Sequence, residues 1–199
     1  MLNAIPYIDY DCMLPGENVF FESKKFVNDY LKKNNQRILI SNLKNTRKSH
    51  KLFETIDSKI YIWSYLSREL VGYGNKPDDI ILDEPLIGND QLSDNAGFHV
   101  LVYHGIMSDL KILLEKYPQI DLVLAAHDQE KGTIEIAGRK IVCTGRDGEV
   151  IAIVALDKKT DGYDVKIKYQ EIGLSLPADP KIGELIVEYK NKLVSGNTR

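Results

Sequence analysis

Phe98-His99-Val100-Leu101-Val102-Tyr103-His104-Gly105 and, further on, Ile120-Asp121-Leu122-Val123-Leu124-Ala125-Ala126-His127 decide the fold. Each is a nearly continuous apolar run, too short for a helix and of the kind expected of a parallel strand covered on both faces. Each run stops at a histidine. Between them Leu110, Leu113, Leu114 and Tyr117 repeat with helical spacing on one face, with Ser108 placed to cap that segment and Pro118 to end it. Two parallel strands cannot be joined by a tight turn, so strand, helix and strand predict a right-handed parallel crossover. That topology puts His104 and His127 at the same edge, on strands about 4.8 Å apart if they are neighbours. Ligands bind at the carboxyl edge of an open α/β sheet, so one metal ion or phosphate can touch both imidazoles, with Asp128, Gln129 and Glu130 beside them. The alternative for either histidine is a strand cap bonded to loop backbone.

Outward from this unit, Tyr10 to Leu14 reads as a short strand broken by Pro15-Gly16. Glu22 to Lys33 carries Phe26, Val27, Tyr30 and Leu31 on one side and lysines on the other, an amphipathic helix. Arg37 to Leu43 reads as a strand, Lys44 to Lys51 as a solvated basic loop with Arg47, Lys48 and His50, and Ser58 to Ser67 as another strand. Gly72 to Pro77 is a loop, and Asp78 to Gly97 is irregular. After Gln129 the pattern becomes antiparallel: Thr133 to Ile136 turns at Ala137-Gly138 to pair with Lys140 to Thr144, and Glu149 to Leu156 pairs with Tyr163 to Ile172. Pro177 to Pro180 opens a last helix with Asp179 as N-cap, whose apolar face is Ile182, Leu185, Ile186, Tyr189 and Leu193.

The 199 residues, 43% of them hydrophobic, are enough for one domain with a sizeable core. Within it we distinguish an α/β part carrying the site (1–130), antiparallel strands (131–176) and a C-terminal helix and tail (177–199). A net charge of -3 exerts no general pull toward nucleic acid or anionic membrane. Cys12 and Cys143 make no metal motif and, lying in apolar runs, read as buried thiols rather than a disulfide. No apolar segment is long enough to span a bilayer and the first residues lack a signal-peptide layout, so the chain as written reads as cytoplasmic.

The two histidine segments also resemble motifs of the calcineurin-like metallophosphoesterases, in their 5'-nucleotidase branch. There H-x-G ends one strand and G-G-H-x-H or G-G-H-x-Q ends the next. Here they stand as His104-Gly105, without the spacer, and Ala125-Ala126-His127-Asp128-Gln129, with both glycines replaced. The family's Y-D-A-x-x-x-G-N-H-E-F-D falls at Tyr10 onward, with Glu17 in the place of a metal-binding Asn, Asn18 in that of the histidine assisting the leaving group, and Val19 in that of the Glu. Ser41-Asn42-Leu43 is similar to its S-A-N-L segment, and Gly145-Arg146-Asp147-Gly148 to a segment passing near the substrate.

The resemblance implies an α/β fold, a metallophosphoesterase-like mixed β-sheet sandwich flanked by helices and lacking the family's first strands, since D-x-H and G-D would lie before Met1. It implies metal ligands at His104, His127, Gln129 and Glu17, substrate contacts at Arg146 and Asn18, and at most one divalent ion, zinc or manganese. It also implies a phosphorylated small molecule or nucleotide as ligand. A homodimer or a partner chain is expected to cover the missing sheet edge, and members of the family are often exported. Three functions follow: a degenerate domain with little or no hydrolysis by itself, an active phosphohydrolase completed by another chain or by a preceding region, and an unrelated α/β module whose histidines are caps.

Overall fold

A computed structural model describes residues 7–44, 50–72, 81–82, 97–173 and 176–194. They fall into two compact units, one spanning Cys12–Glu171 and one joining the two chain ends. The first is built on a six-stranded sheet of order β1-β2-β3-β4-β6-β5, where β1 is Lys51–Glu54, β2 Lys59–Leu66, β3 Phe98–Gly105, β4 Leu122–His127, β5 Lys131–Ile136 and β6 Arg139–Thr144. Strands β2, β3, β4 and β6 run parallel, and β1 and β5 are antiparallel edges. The expected crossover is present: β3 and β4 are parallel neighbours, with Val100 opposite Leu122 and Gly105 opposite His127, joined through α3, Met107–Lys116.

Both faces of this sheet are covered, which is why its central strands are apolar without alternation. On one face Trp63, Leu101, Tyr103, Val123 and Ile141 pack against Leu110, Leu113 and Leu114 of α3. On the other, Phe98, Val100, Leu122 and Val142 meet Ala152, Val154, Leu156, Tyr163, Val165 and Ile167 of a second sheet. That sheet is the hairpin of β7, Val150–Lys159, and β8, Gly162–Glu171. A third cluster joins α1 (Lys24–Lys33), capped by Ser23, to Phe20, Ile40, Leu66 and Val71, the last of these ending the short α2, Arg68–Val71.

Two expected strands do not form. Tyr10 to Leu14 and Arg37 to Leu43 make only single bridges, Met13 to Ile38 and Leu43 to Leu82. Side chains take over the ladder. Ser64 Oγ donates to the Leu39 carbonyl (2.6 Å), the Ser64 N–H donates to Ser41 Oγ (2.8 Å), and the Asn42 amide donates to the Leu66 carbonyl (2.9 Å) while accepting its N–H (3.1 Å). Serine and asparagine compete in this way with backbone pairing, and here they satisfy the edge of β2 beyond β1. Lys51, expected in the basic loop, instead begins β1; Arg47 and Lys48 lie outside the described residues, as do 73–80 and 83–96 of the following loops.

The cap of α3 is also not the expected one. Ser108 lies inside the helix, exposed, and donates to its neighbour Asp109 (3.3 Å). The first N–H, of Met107, is instead accepted by Asp128 Oδ2 at 2.6 Å, from the end of β4. Asp128→Ala should therefore destabilise the chain by about 0.5–2 kcal/mol, and Ser108→Ala by less than about 0.5 kcal/mol. Urea unfolding of the two variants checks this, and the reverse ranking would refute the assignment.

As expected, Cys12 and Cys143 form no disulfide; Cys143 is buried, whereas Cys12 is only half-buried. In the second unit Asp179 Oδ1 accepts the Ile182 N–H (3.0 Å) at the start of α4, Pro180–Val194. Ile182 and Leu185 of its expected apolar face are half-buried, whereas Ile186 and Tyr189 are exposed. Among the described residues no helix is long and apolar enough to cross a membrane.

Candidate metal centre

His104 is the next-to-last residue of β3 and His127 the last of β4, so the parallel register sets both at the carboxyl edge. Their ring centroids are 5.4 Å apart, nearly edge to face. The third member arrives from the chain's beginning. Pro15-Gly16 leads into a single 3₁₀ turn, Glu17–Phe21, and the absence of a side chain at Gly16 lets this turn press on His104, since a Cβ there would stand 3.1 Å from its Cε1. Glu17 then offers one oxygen to each imidazole: Oε2 is hydrogen-bonded to His104 Nε2, and Oε1 lies 3.4 Å from His127 Nδ1.

The surroundings fix these groups. Burial alone would push the Glu17 carboxyl up, but the His104 hydrogen bond, a backbone bond and the nearby imidazoles together outweigh it and hold it below the ordinary carboxylate value. The backbone of His104 is tied by the Ser67 N–H, which donates to its carbonyl at 2.9 Å. Beneath Gly105 the Tyr103 hydroxyl donates to the Ile106 carbonyl (2.8 Å), and a Cβ on Gly105 would stand 2.5 Å from that hydroxyl. Burial, reinforced by nearby acids and Tyr65, raises the Tyr103 pKa strongly, so the hydroxyl keeps its proton. His127 has φ 104° and Gln129 φ 58°, left-handed values that cost a non-glycine residue about 1–3 kcal/mol and gather at functional sites.

Glu17, His104 and His127 place one ligand atom each within 4.8 Å of one another. Donors sharing an ion at about 2.0–2.2 Å stand no more than about 4.4 Å apart, so the set closes on a divalent cation with small movements. Two imidazole nitrogens and a carboxylate oxygen also leave coordination positions for a ligand. Among the described residues this is the one such group of histidine, cysteine and acidic donors. The remaining expected site residues stand around it or away from it. Asn18 is exposed on the same turn, Gln129 is exposed two residues past His127, and Arg146 is exposed in the β6–β7 turn, 3.6 Å from Asp147.

Two cavities flank the centre. One, of about 360 Å³, is apolar and lies between the sheets, lined by Leu14, Val102, Leu124, Ala152 and His104. The other, of about 1020 Å³, is an open groove that Glu17 and His127 border together with Phe21, Tyr65, Ile106 and Ile112. From the sequence Gly16 reads only as a strand break and Asp128 only as a neighbour of the histidines, and the groove residues are not brought together at all. The signal for Gly16 was its place just before the carboxylate, while the others are assembled by tertiary structure.

No protein-family model matches the sequence, and no curated protein matches it. Solved structures do match in three dimensions. A 5'-nucleotidase precursor from Thermus thermophilus superposes with a TM-score of 0.76 at 10% identity, over 100% of this chain and 46% of that one. The NAD nucleotidase NadN of Haemophilus influenzae gives 0.74 at 12% identity, over 96% and 52%. The sulfate thiohydrolase SoxB of Thermus thermophilus gives 0.72 at 15% identity, over 85% and 34%. The chain spans about half or less of each of these proteins. At such identities the likeness establishes the fold: the mixed α/β architecture implied by the motif resemblance is the one these nucleotidases and SoxB share with this chain.

Proposed function

We propose that the chain is a divalent-metal-binding domain of 5'-nucleotidase-like fold, with a single centre at Glu17, His104 and His127 and Gln129 as a further donor, and that alone it hydrolyses nucleotides little or not at all. The observation that supports this most is the convergence of three donors, from three separate segments, at the carboxyl edge of the sheet. Zinc or manganese suits imidazole and carboxylate donors. When bound, such an ion would polarise a phosphoryl or other oxyanion oxygen.

The limit on hydrolysis comes from the chain's own residues. A two-ion phosphoesterase clamps the attacking and leaving oxygens between its metals, and one acidic and histidine donor group occurs among the described residues. Asn18 stands where the resembled motif has a proton-donating histidine, and an amide cannot serve as a general acid. Losing that proton transfer lowers a rate by roughly 10²- to 10⁴-fold. The purified 199-residue chain, equilibrated with zinc or manganese and assayed for metal content and nucleotide hydrolysis, should carry near-equimolar metal and show almost no turnover. Robust metal-dependent hydrolysis would sink the degenerate-domain reading, and a chain that retains no metal would sink the centre.

A further inference from the structure

We propose that the groove beside the centre binds a small oxyanion carrying an apolar ring, its anionic head on the ion held by Glu17, His104 and His127 and its ring against Phe21, Tyr65, Ile106 and Ile112. This rests on the metal-centre reading above and names the ligand class that the centre takes. The groove encloses about 1020 Å³, with Glu17 and His127 at its border, a size at the upper end for small-ligand sites. Tyr65 and Tyr103 lie stacked in its lining, ring centroids 6.0 Å apart.

Around them Phe21 is 50% exposed, Ile106 37% and Ile112 68%. A single exposed apolar side chain is ordinary, but three lining one concavity that also contains metal donors make a patch of the kind that marks a ligand groove. The charges lining the groove away from the donors cancel in sign, Arg68 and Lys116 against Glu69 and Asp109. A ligand's negative charge is therefore drawn to the divalent ion, where one carboxylate leaves net positive charge, and its remaining body gains most by being apolar.

The test uses the full chain loaded with cobalt(II), whose visible spectrum reports both metal binding and ligand arrival, and compares methylphosphonate with phenylphosphonate, neither of which is hydrolysed. Burying one ring predicts that phenylphosphonate binds about 10- to 100-fold more tightly. In the Phe21→Ser/Ile112→Ser double variant, whose altered positions are exposed and so spare the core, that ratio should fall below about threefold, losing most of the gain from apolar burial. Equal affinities in the cobalt-loaded wild type, or spectra that neither phosphonate changes, overturn the proposal while leaving the metal centre standing. An undiminished ratio in the double variant overturns the placement of the ring. Absence of a cobalt spectrum overturns the centre and this proposal together.

Discussion

Glu17→Gln, His104→Ala and His127→Ala should each weaken cobalt(II) or zinc binding by more than about 100-fold, beyond the roughly 10- to 100-fold that loss of a mere outer-shell partner costs. Each removes one of the three donors that stand within 4.8 Å of one another. The Glu17 substitution is the most telling, because glutamine keeps the shape while removing the single negative charge that the three share. The same carboxylate also holds both imidazoles in place, one on each oxygen, so its loss disorders the other two donors. Competition with a chromophoric chelator measures the affinities, and urea unfolding of the metal-free variants separates lost binding from lost folding. Metal affinity unchanged in both histidine variants would remove the centre.

The largest effect on stability is expected at Trp63. Its side chain is fully buried between the sheet and α3, and its indole N–H donates to His99 Nδ1 at 3.1 Å. Trp63→Ala should cost about 3–5 kcal/mol, a large part of the roughly 5–15 kcal/mol that holds a typical domain folded. Trp63→Phe keeps most of the ring but leaves the buried Nδ1 without its donor, which should cost about 1–3 kcal/mol. Urea midpoints of the two variants measure both losses, and a Trp63→Ala variant as stable as the wild type would refute the packing role.

The same cluster makes the fold acid-sensitive. His50 packs on Trp63 and Tyr61, with centroids 4.9 and 5.5 Å away, and burial, followed by the neighbouring His99, lowers its pKa. The unfolded chain therefore takes up this proton first. The contribution to stability is complete above the ordinary histidine value of about 6.5 and is lost as pH falls below it. The drop in urea midpoint between about pH 7.5 and pH 5.5, which bracket that value, should be smaller in His50→Gln than in the wild type; equal drops would refute the assignment.

The centre of the fold was legible because its signals are local. Apolar runs at Phe98 and Leu122 with helical spacing between them left one sensible topology, and the parallel register then put two histidines at one edge. Glu17 was found through its place in a motif rather than through its own surroundings, and the turn does bring it to those histidines. What stayed hidden depended on distant partners. Tyr10 to Leu14 and Arg37 to Leu43 have strand-forming residues, but Ser41, Asn42 and Ser64 spend their side chains where a ladder would be. Strand β1 is four residues long with a charge at each end, too little pattern to read. The α3 cap comes from Asp128, twenty-one positions away in sequence, and β6 enters the sheet between β4 and β5 although its hairpin alone would leave it at an edge.

The clasp of Ser41, Asn42 and Ser64 on the upper half of β2 also bears on how the protein behaves in a crowded solution. An open strand is a template for other chains, and native proteins blunt such edges. Here the donors and acceptors of Ser64 and Leu66 that would recruit a stranger are already occupied by the chain's own serines and asparagine. The irregular segment that fails as a strand thus acts as a stopper, ending the sheet where a regular strand would have offered one more place to grow.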